Sequence, residues 1–274
     1  ERVGDHLAVP TGPRHRLWRI RAARVVTATG AIERPLSFAG NDVPGVMLAS
    51  AVRDYVVNWA VSPGDRTVVV TNNDDAYRTA LALKAAGLDV PAIVDARPSG
   101  GGRLMEEAKA AGIRVETGRG IAKVKGGKRV EAVFTCPQAG EGATVQEIKC
   151  DAVAMSGGWS PVVHLWSHTG GKLLWDEAEA FFRPDPDRAP LGHDGAANVI
   201  AAGAANGMLG LGEILADAHA AGARAAEETG HAPKSDPEPS GDARDEAPLA
   251  PVWIMPQGAA PALRAKAWLD FQND

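Results

Sequence analysis

Cysteine is almost absent from this chain: Cys136 and Cys150 are the only two in 274 residues. Far apart and without C-x-x-C spacing, they make neither a redox dithiol nor a zinc site, and they fit a reducing cytoplasm. No apolar run approaches the roughly 20 residues that cross a bilayer, and no charged leader with a hydrophobic stretch opens the chain, so no membrane partner is expected. Neither sign of charge dominates. With 29 basic against 34 acidic residues the net charge is −5, which gives no electrostatic reason to expect nucleic acid. The phosphate-binding fingerprint G-x-G-x-x-G is missing throughout, as are H-E-x-x-H and the nucleophile elbow G-x-S-x-G.

What is present can bury a core. At 45% hydrophobic, the chain is long enough for one large or two small domains. The stretch R-V-V-T-A-T-G-A-I-E-R, Arg24 to Arg34, runs a β-branched strand into an abrupt turn at Thr29-Gly30. A strand that ends in glycine lets backbone approach a phosphate or ribose, because Gly30 can take positive φ and carries no Cβ. An ordinary strand-ending turn is the alternative.

Residues 1–23 read as a β-hairpin about Pro10-Thr11-Gly12-Pro13, with no methionine before it, as in a piece of a longer chain. Residues 35–46 are rich in turn formers. The 3.6-residue period then predicts a helix over 49–60. From Arg66 the pattern alternates: strand Thr67 to Thr71, helix 76–86, strand 90–95, helix 103–111, and strands at 114–116, 121–124 and 130–134. Gly126-Gly127 turns a hairpin, and a long strand over 148–156 closes the unit. This order predicts an α/β fold: a Rossmann-like, doubly wound parallel sheet with an antiparallel meander. A short strand follows at 198–203 and an alanine-rich helix at 210–227. Residues 231–250 have little to bury and read as a flexible linker, with the start of another module after it.

The candidate sites are unequal. Asn72-Asn73-Asp74-Asp75 stands where a phosphate loop would carry its glycines, and two carboxylates there would repel pyrophosphate. Asp95 closes the next strand about 20 residues on, where such folds hold ribose hydroxyls. The unit therefore has the architecture of a nucleotide site without its phosphate loop, and a degenerate, structural domain is favoured over a working one. His164 and His168 share a helical face without a third ligand. Ser156 lacks an elbow, and Asp176, Glu177 and Glu179 read as a solvated face.

Taken together, T-A-T-G-A-I-E-R-P, N-D-V-P-G-V-M, T-N-N-D-D-A-Y, S-G-G-W-S-P, A-A-G-A-A-N-G and K-A-W-L-D-F-Q-N-D resemble the α-subunit family of heterotetrameric sarcosine oxidases. The broader group is the FAD/NAD(P)-binding, pyridine nucleotide-disulfide oxidoreductase-like proteins. The resemblance implies that 1–65 and 159–230 belong to a first, NAD-binding domain, that 66–158 is a Rossmann-like domain inserted into its second half, and that 251–274 begin a following module. It implies that Thr29, Gly30 and Ala31 line the NAD site, and that Gly203, Asn206 and Gly207 meet the dinucleotide from the returning strand. In flavin-binding relatives a carboxylate follows that glycine; here Ala204 does, which suits NAD or an emptied site. FAD and FMN belong to the parent complex, with other subunits as partners and tetrahydrofolate bound by a domain absent here. The implied reaction is oxidative demethylation of sarcosine to glycine, a one-carbon unit and peroxide, with no catalytic or metal-ligating residue in this stretch. The rivals are a subunit of a related amine or opine dehydrogenase and a non-catalytic assembly module.

Overall fold

The computed structural model describes residues 15–233, 237–243, 246–259 and 267. The elements begin with β1 (Val25–Thr27), β2 (Ala31–Glu33), β3 (Val46–Leu48) and α1 (Ala49–Trp59). Next come β4 (Thr67–Thr71), α2 (Asp75–Ala85), β5 (Ile93–Asp95), α3 (Arg103–Ala110) and β6 (Val115–Thr117). A meander of β7 (Arg119–Gly126), β8 (Val130–Pro137) and β9 (Gln146–Lys149) leads to β10 (Ala152–Ser156) and β11 (Trp159–Pro161). The described elements end with α4 (His164–His168), β12 (Leu173–Asp176), β13 (Phe181–Pro184), β14 (Val199–Ala201) and α5 (Leu211–Glu228).

Five strands form the main sheet in the order β3-β10-β4-β5-β6, all parallel. Their side chains alternate between two cores, as the period of a strand requires. Val69, Ile93 and Ala154 face one way, into a core shared with Val52 of α1, Tyr77, Ala80 and Leu83 of α2, and Leu104 and Ala108 of α3. Val68, Val70, Val94, Val153 and Met155 face the other way, onto Ile121, Val130, Val133 and Ile148 of the meander and onto Leu36 and Phe38. Because both faces are covered, the strands read as continuous apolar runs. Each fully buried valine or leucine contributes about 1.5–3 kcal/mol by leaving water.

Two of these placements differ from what the sequence suggests. The sheet reaches back to Val46, ahead of the boundary at residue 66, because β3 is its edge strand and α1 packs beside α2. The long strand expected over 148–156 is two: β9 pairs antiparallel with β8, while β10 joins the parallel sheet. The break falls at Cys150-Asp151, where Asp151 accepts from the Asp65 and Arg66 amides at 3.1 and 2.8 Å and turns the chain.

Outside this body, β1 pairs in parallel with β14, with Val25 against Val199 and Thr27 against Ala201. The antiparallel pair β2–β11 carries the chain out and back between that pair and the main sheet. Residues 16–23 form no strand, and Leu17, Trp18 and Ile20 are exposed; the first arm of the expected hairpin lies outside the described residues. Most of K-A-W-L-D-F-Q-N-D also lies outside them.

The region 231–250 departs most from expectation. Its end is an ordered strap: Ala250 and Asn72 exchange hydrogen bonds, and the strap continues into Trp253 to Met255, which pair with Ser37. Residues 251–257 pack against this body, the Met255 and Gln257 amides donating to the Ser37 and Gln138 carbonyls. Composition predicts little apolar burial here, and that holds; the strap is instead held through its backbone.

Candidate functional site

β1 and β14 end level with one another, so the turns that follow them lie at the carboxyl ends of adjacent parallel strands. Open α/β sheets take their ligands there. In the first turn the Thr29 hydroxyl donates to the Val162 carbonyl at 2.8 Å, and Gly30 has φ +77°. A Cβ on Gly30 would meet nothing within 4 Å, so the backbone is open to an approaching group. Ala31 lines a cleft of about 500 Å3 between this region and the main sheet. In the second turn the Gly203 amide donates to Asp217 Oδ2 at 2.6 Å, and Asn206 Nδ2 donates to Asp217 Oδ1 at 3.0 Å. Gly207 caps the short helical turn 203–206 and faces Phe181 and Arg183. Asn206 lines a smaller cleft of about 280 Å3 with Asp217 and Arg224. Of the six candidate residues, Thr29, Gly30, Gly203 and Gly207 line neither cleft.

Asp217 has no sequence signal of its own, since it is one acid on an alanine-rich helix. It engages two of the groups that a dinucleotide would otherwise meet. On this turn the residues fit a bound nucleotide only through shape. On the first turn Gly30 leaves room for one.

Across the larger cleft lies the start of α2. Asp75, in its first turn, pairs with Arg53 at 3.0 Å and Arg78 at 3.3 Å and accepts from Trp159 Nε1 at 3.2 Å. The cleft lining holds five carboxylates (Asp74, Asp75, Glu179, Asp242 and Glu246) against one cation, Arg78. That balance opposes a pyrophosphate. Glu179 lies in this cleft rather than on a fully solvated face, held by the turn in which Asp176 accepts from its amide at 3.1 Å.

Asp95 does not wait for a ribose. Arg97 Nη2 lies 2.8 Å from Asp95 and 2.7 Å from Asp74, and Tyr77 donates its hydroxyl to Asp95 at 2.7 Å. Burial pulls the Arg97 guanidinium down, but the bonds to Asp95 and Asp74 outweigh it and hold the group above its ordinary value. Burial and Asp95 together push the Tyr77 phenol up. The second unit therefore does not fit a dinucleotide: its acids are engaged by the protein itself.

Behind the connecting strands, Glu33 is 3% exposed and caps α1 from a distance, its Oε2 accepting from the Ser50 amide at 2.9 Å and hydroxyl at 2.6 Å. Burial pushes its carboxyl above the usual range, more than the Ser50 bonds lower it. Arg34 donates to the Ala180 carbonyl at 2.6 Å and stacks on Trp253 at 4.7 Å, and burial lowers its guanidinium to about 10. Ser156 is wholly buried and bonded to Asn73 at 3.1 Å. The His164 and His168 rings lie 6.3 Å apart, and no group of three metal-ligating side chains occurs among the described residues. No helix is long and apolar enough to cross a membrane, again among the described residues.

No protein-family model matches the chain. The sarcosine oxidase alpha subunit of Rhizobium meliloti (strain 1021) is 37% identical over 284 residues, covering 100% of this chain and 26% of its own length. Its counterpart in Corynebacterium sp. (strain P-1) is 38% identical over 283 residues, covering 98% and 28%. An opine oxidase subunit of Rhizobium meliloti is 26% identical over 211 residues, covering 70% and 39%. Among solved structures, T. acidophilum thioredoxin reductase superposes with a TM-score of 0.54 at 19% identity, over 75% of this chain and 64% of that one. A ferredoxin reductase from Rhodopseudomonas palustris gives 0.53 at 19% identity, over 81% and 55%. These likenesses show the fold alone, an α/β architecture shared with the two reductases. The chain spans about a quarter of the length of the sarcosine oxidase alpha subunits it matches, and it is similar to that stretch of them along its whole length.

Proposed function

We propose that this chain is the dinucleotide-facing part of a sarcosine oxidase-type subunit, forming one wall of an NAD site and a rigid body on which other subunits assemble. The observation that carries the reading is similarity along the whole chain to sarcosine oxidase alpha subunits. The position of Thr29, Gly30 and Ala31 at the carboxyl end of a parallel strand supports it. So does the opposing turn of Gly203, Asn206 and Gly207, whose shape is held by Asp217. Ala204 offers no carboxylate to a flavin's ribityl chain, which favours NAD over FAD at this wall.

NAD, when bound, supplies a hydride-carrying nicotinamide. The chain's own residues contribute open backbone at Gly30 and a fixed turn at 203–207, and none of the described residues is assigned a catalytic role. In the parent reaction sarcosine, oxygen and water give glycine, a one-carbon unit at the formaldehyde level and hydrogen peroxide. That chemistry is assigned to FAD and FMN held elsewhere in the complex, and tetrahydrofolate to a domain outside this span. Similarity to the opine oxidase of Rhizobium meliloti supports a second reading, in which the amine is an opine.

The test is to purify the protein, release its nucleotides by denaturation and identify them, while following sarcosine-dependent peroxide formation. NAD is expected, in an amount that falls when Gly30→Val fills the open turn. Absence of NAD, or FAD bound by this chain, overturns the NAD wall. Peroxide from an opine but not from sarcosine overturns the substrate.

A further inference from the structure

The crevice at the carboxyl ends of β4 and β5 is where a dinucleotide-binding sheet holds pyrophosphate and ribose. Here a piece of the chain itself crosses it. Asn72 Nδ2 donates to the Ala250 carbonyl at 2.9 Å and to the Val252 carbonyl at 3.1 Å. The Ala250 amide donates back to the Asn72 carbonyl at 3.0 Å. The Ala247 amide donates to Asp74 Oδ2 at 2.9 Å, Arg97 Nη1 donates to the Pro248 carbonyl at 3.3 Å, and Glu246 pairs with Arg78.

The groups that hold the strap are built for the task. Asn72, Asp74 and Arg97 are respectively 0%, 1% and 4% exposed, so each must find partners inside the protein. Asn72 and Asp74 occupy the turn between β4 and α2, where glycines would cradle phosphate; Arg97 grips Asp95, which would hold a ribose. The ligand they meet is peptide backbone: Asn72 and Arg97 donate to carbonyls, and Asp74 accepts from an amide. An anionic phosphate would find Asp74 in its place, whereas a peptide finds both donors and acceptors matched.

We propose that this crevice is a peptide-docking site whose permanent occupant is segment 246–252 of the same chain, and that the strap replaces the pyridine nucleotide this domain would otherwise bind. The site recognises an extended backbone through its amides and carbonyls rather than through side-chain pockets. The NAD wall at Gly30 lies on the other strand pair, and its Ala31 lines the same cleft as Asp74, Glu246 and Ala247.

Amide hydrogen exchange of the purified protein, read by mass spectrometry on peptides spanning 246–255, tests it with and without NADH. Protection is expected at the Ala247 and Ala250 amides, unchanged by NADH. Ala250→Pro removes one strap donor without touching the sheet core, and should speed exchange of the neighbouring strap amides about tenfold, the effect of losing one hydrogen bond of about 1.4 kcal/mol. Asp74→Asn, which keeps an acceptor oxygen, should retain the protection. Unprotected exchange across 246–252 in the unmodified protein overturns the proposal. So does NADH that protects 72–75 while releasing the strap, because the segment would then be a displaceable lid over a working nucleotide site.

Discussion

The Asp217 carboxylate accepts the Gly203 amide at 2.6 Å, joining α5 to the turn after β14. The same side chain takes Asn206 Nδ2 at 3.0 Å, so one acid on α5 holds both groups of the A-A-G-A-A-N-G motif that carry hydrogen-bond donors toward it. The turn is therefore shaped by the protein before any ligand arrives.

Asp217→Ala removes both bonds and leaves the Gly203 amide in search of a partner. A hydrogen bond to a charged group contributes about 1.5–3 kcal/mol, so urea unfolding should report a loss of that order. Asn206→Ala leaves the Gly203 bond in place and should cost less. Equal losses for the two variants would show that the carboxylate does not organise the turn.

Arg97→Ala strands two buried carboxylates, Asp74 and Asp95, without their shared cation. Breaking a buried pair by removing one partner costs roughly 3–5 kcal/mol. Arg97→Lys should recover only part of it, since an ammonium cannot reproduce the guanidinium's reach to Asp95, Asp74 and Pro248 together. Equilibrium unfolding of the variants is the measurement, and a loss below about 1 kcal/mol, the range of an exposed pair, would contradict it.

Glu33 gives the fold a pH dependence. Its carboxyl is raised by burial above the ordinary 4.5, so the folded protein holds the proton more tightly than the unfolded chain does. The resulting contribution is full below the ordinary value and is lost as pH rises through the folded one. Glu33→Gln keeps an oxygen for Ser50 and cannot ionise. In unfolding measured across that window, the variant should gain on the parent protein as pH rises; parallel curves would show that the group does not titrate there.

Two glycines should respond differently to a methyl group. At Gly30 it meets nothing within 4 Å, so Gly30→Ala should cost only about 1–2 kcal/mol for the left-handed backbone. At Gly157 it would sit 2.7 Å from Trp253 Cδ1 and 2.8 Å from the Pro35 carbonyl, both held firmly. Gly157→Ala should cost more than Gly30→Ala in thermal or urea unfolding, because backbone and a packed ring must move.

Much of the fold was legible in the amino acids. Val68-Val69-Val70 is a strand buried on both faces, and the 3.6-residue period around Tyr77, Ala80 and Leu83 is a helix. The motifs about Gly30, Asn72 and Gly203 carry the resemblance to sarcosine oxidase alpha subunits. The doubly wound order follows from strands alternating with helices, and here the face without helices is covered by the meander. Less of the candidate site was legible. The turn at Gly30 announces itself by glycine after a β-branched run, but Asp217 and Glu33 are single acids whose partners lie elsewhere in the chain. The strap reads as unstructured because it has little apolar surface, and its order comes from backbone bonds that composition does not record.

By itself, then, the sequence determined the main strands and helices of the parallel sheet and which proteins the chain resembles, because period and turn chemistry act between near neighbours. Tertiary structure alone decided where the amides and carboxylates find their partners: Gly203 with a residue 14 positions away, Asn72 with one 178 away. Buried polar groups must be satisfied wherever the fold brings a partner within reach. That requirement operates through space and leaves no period along the chain.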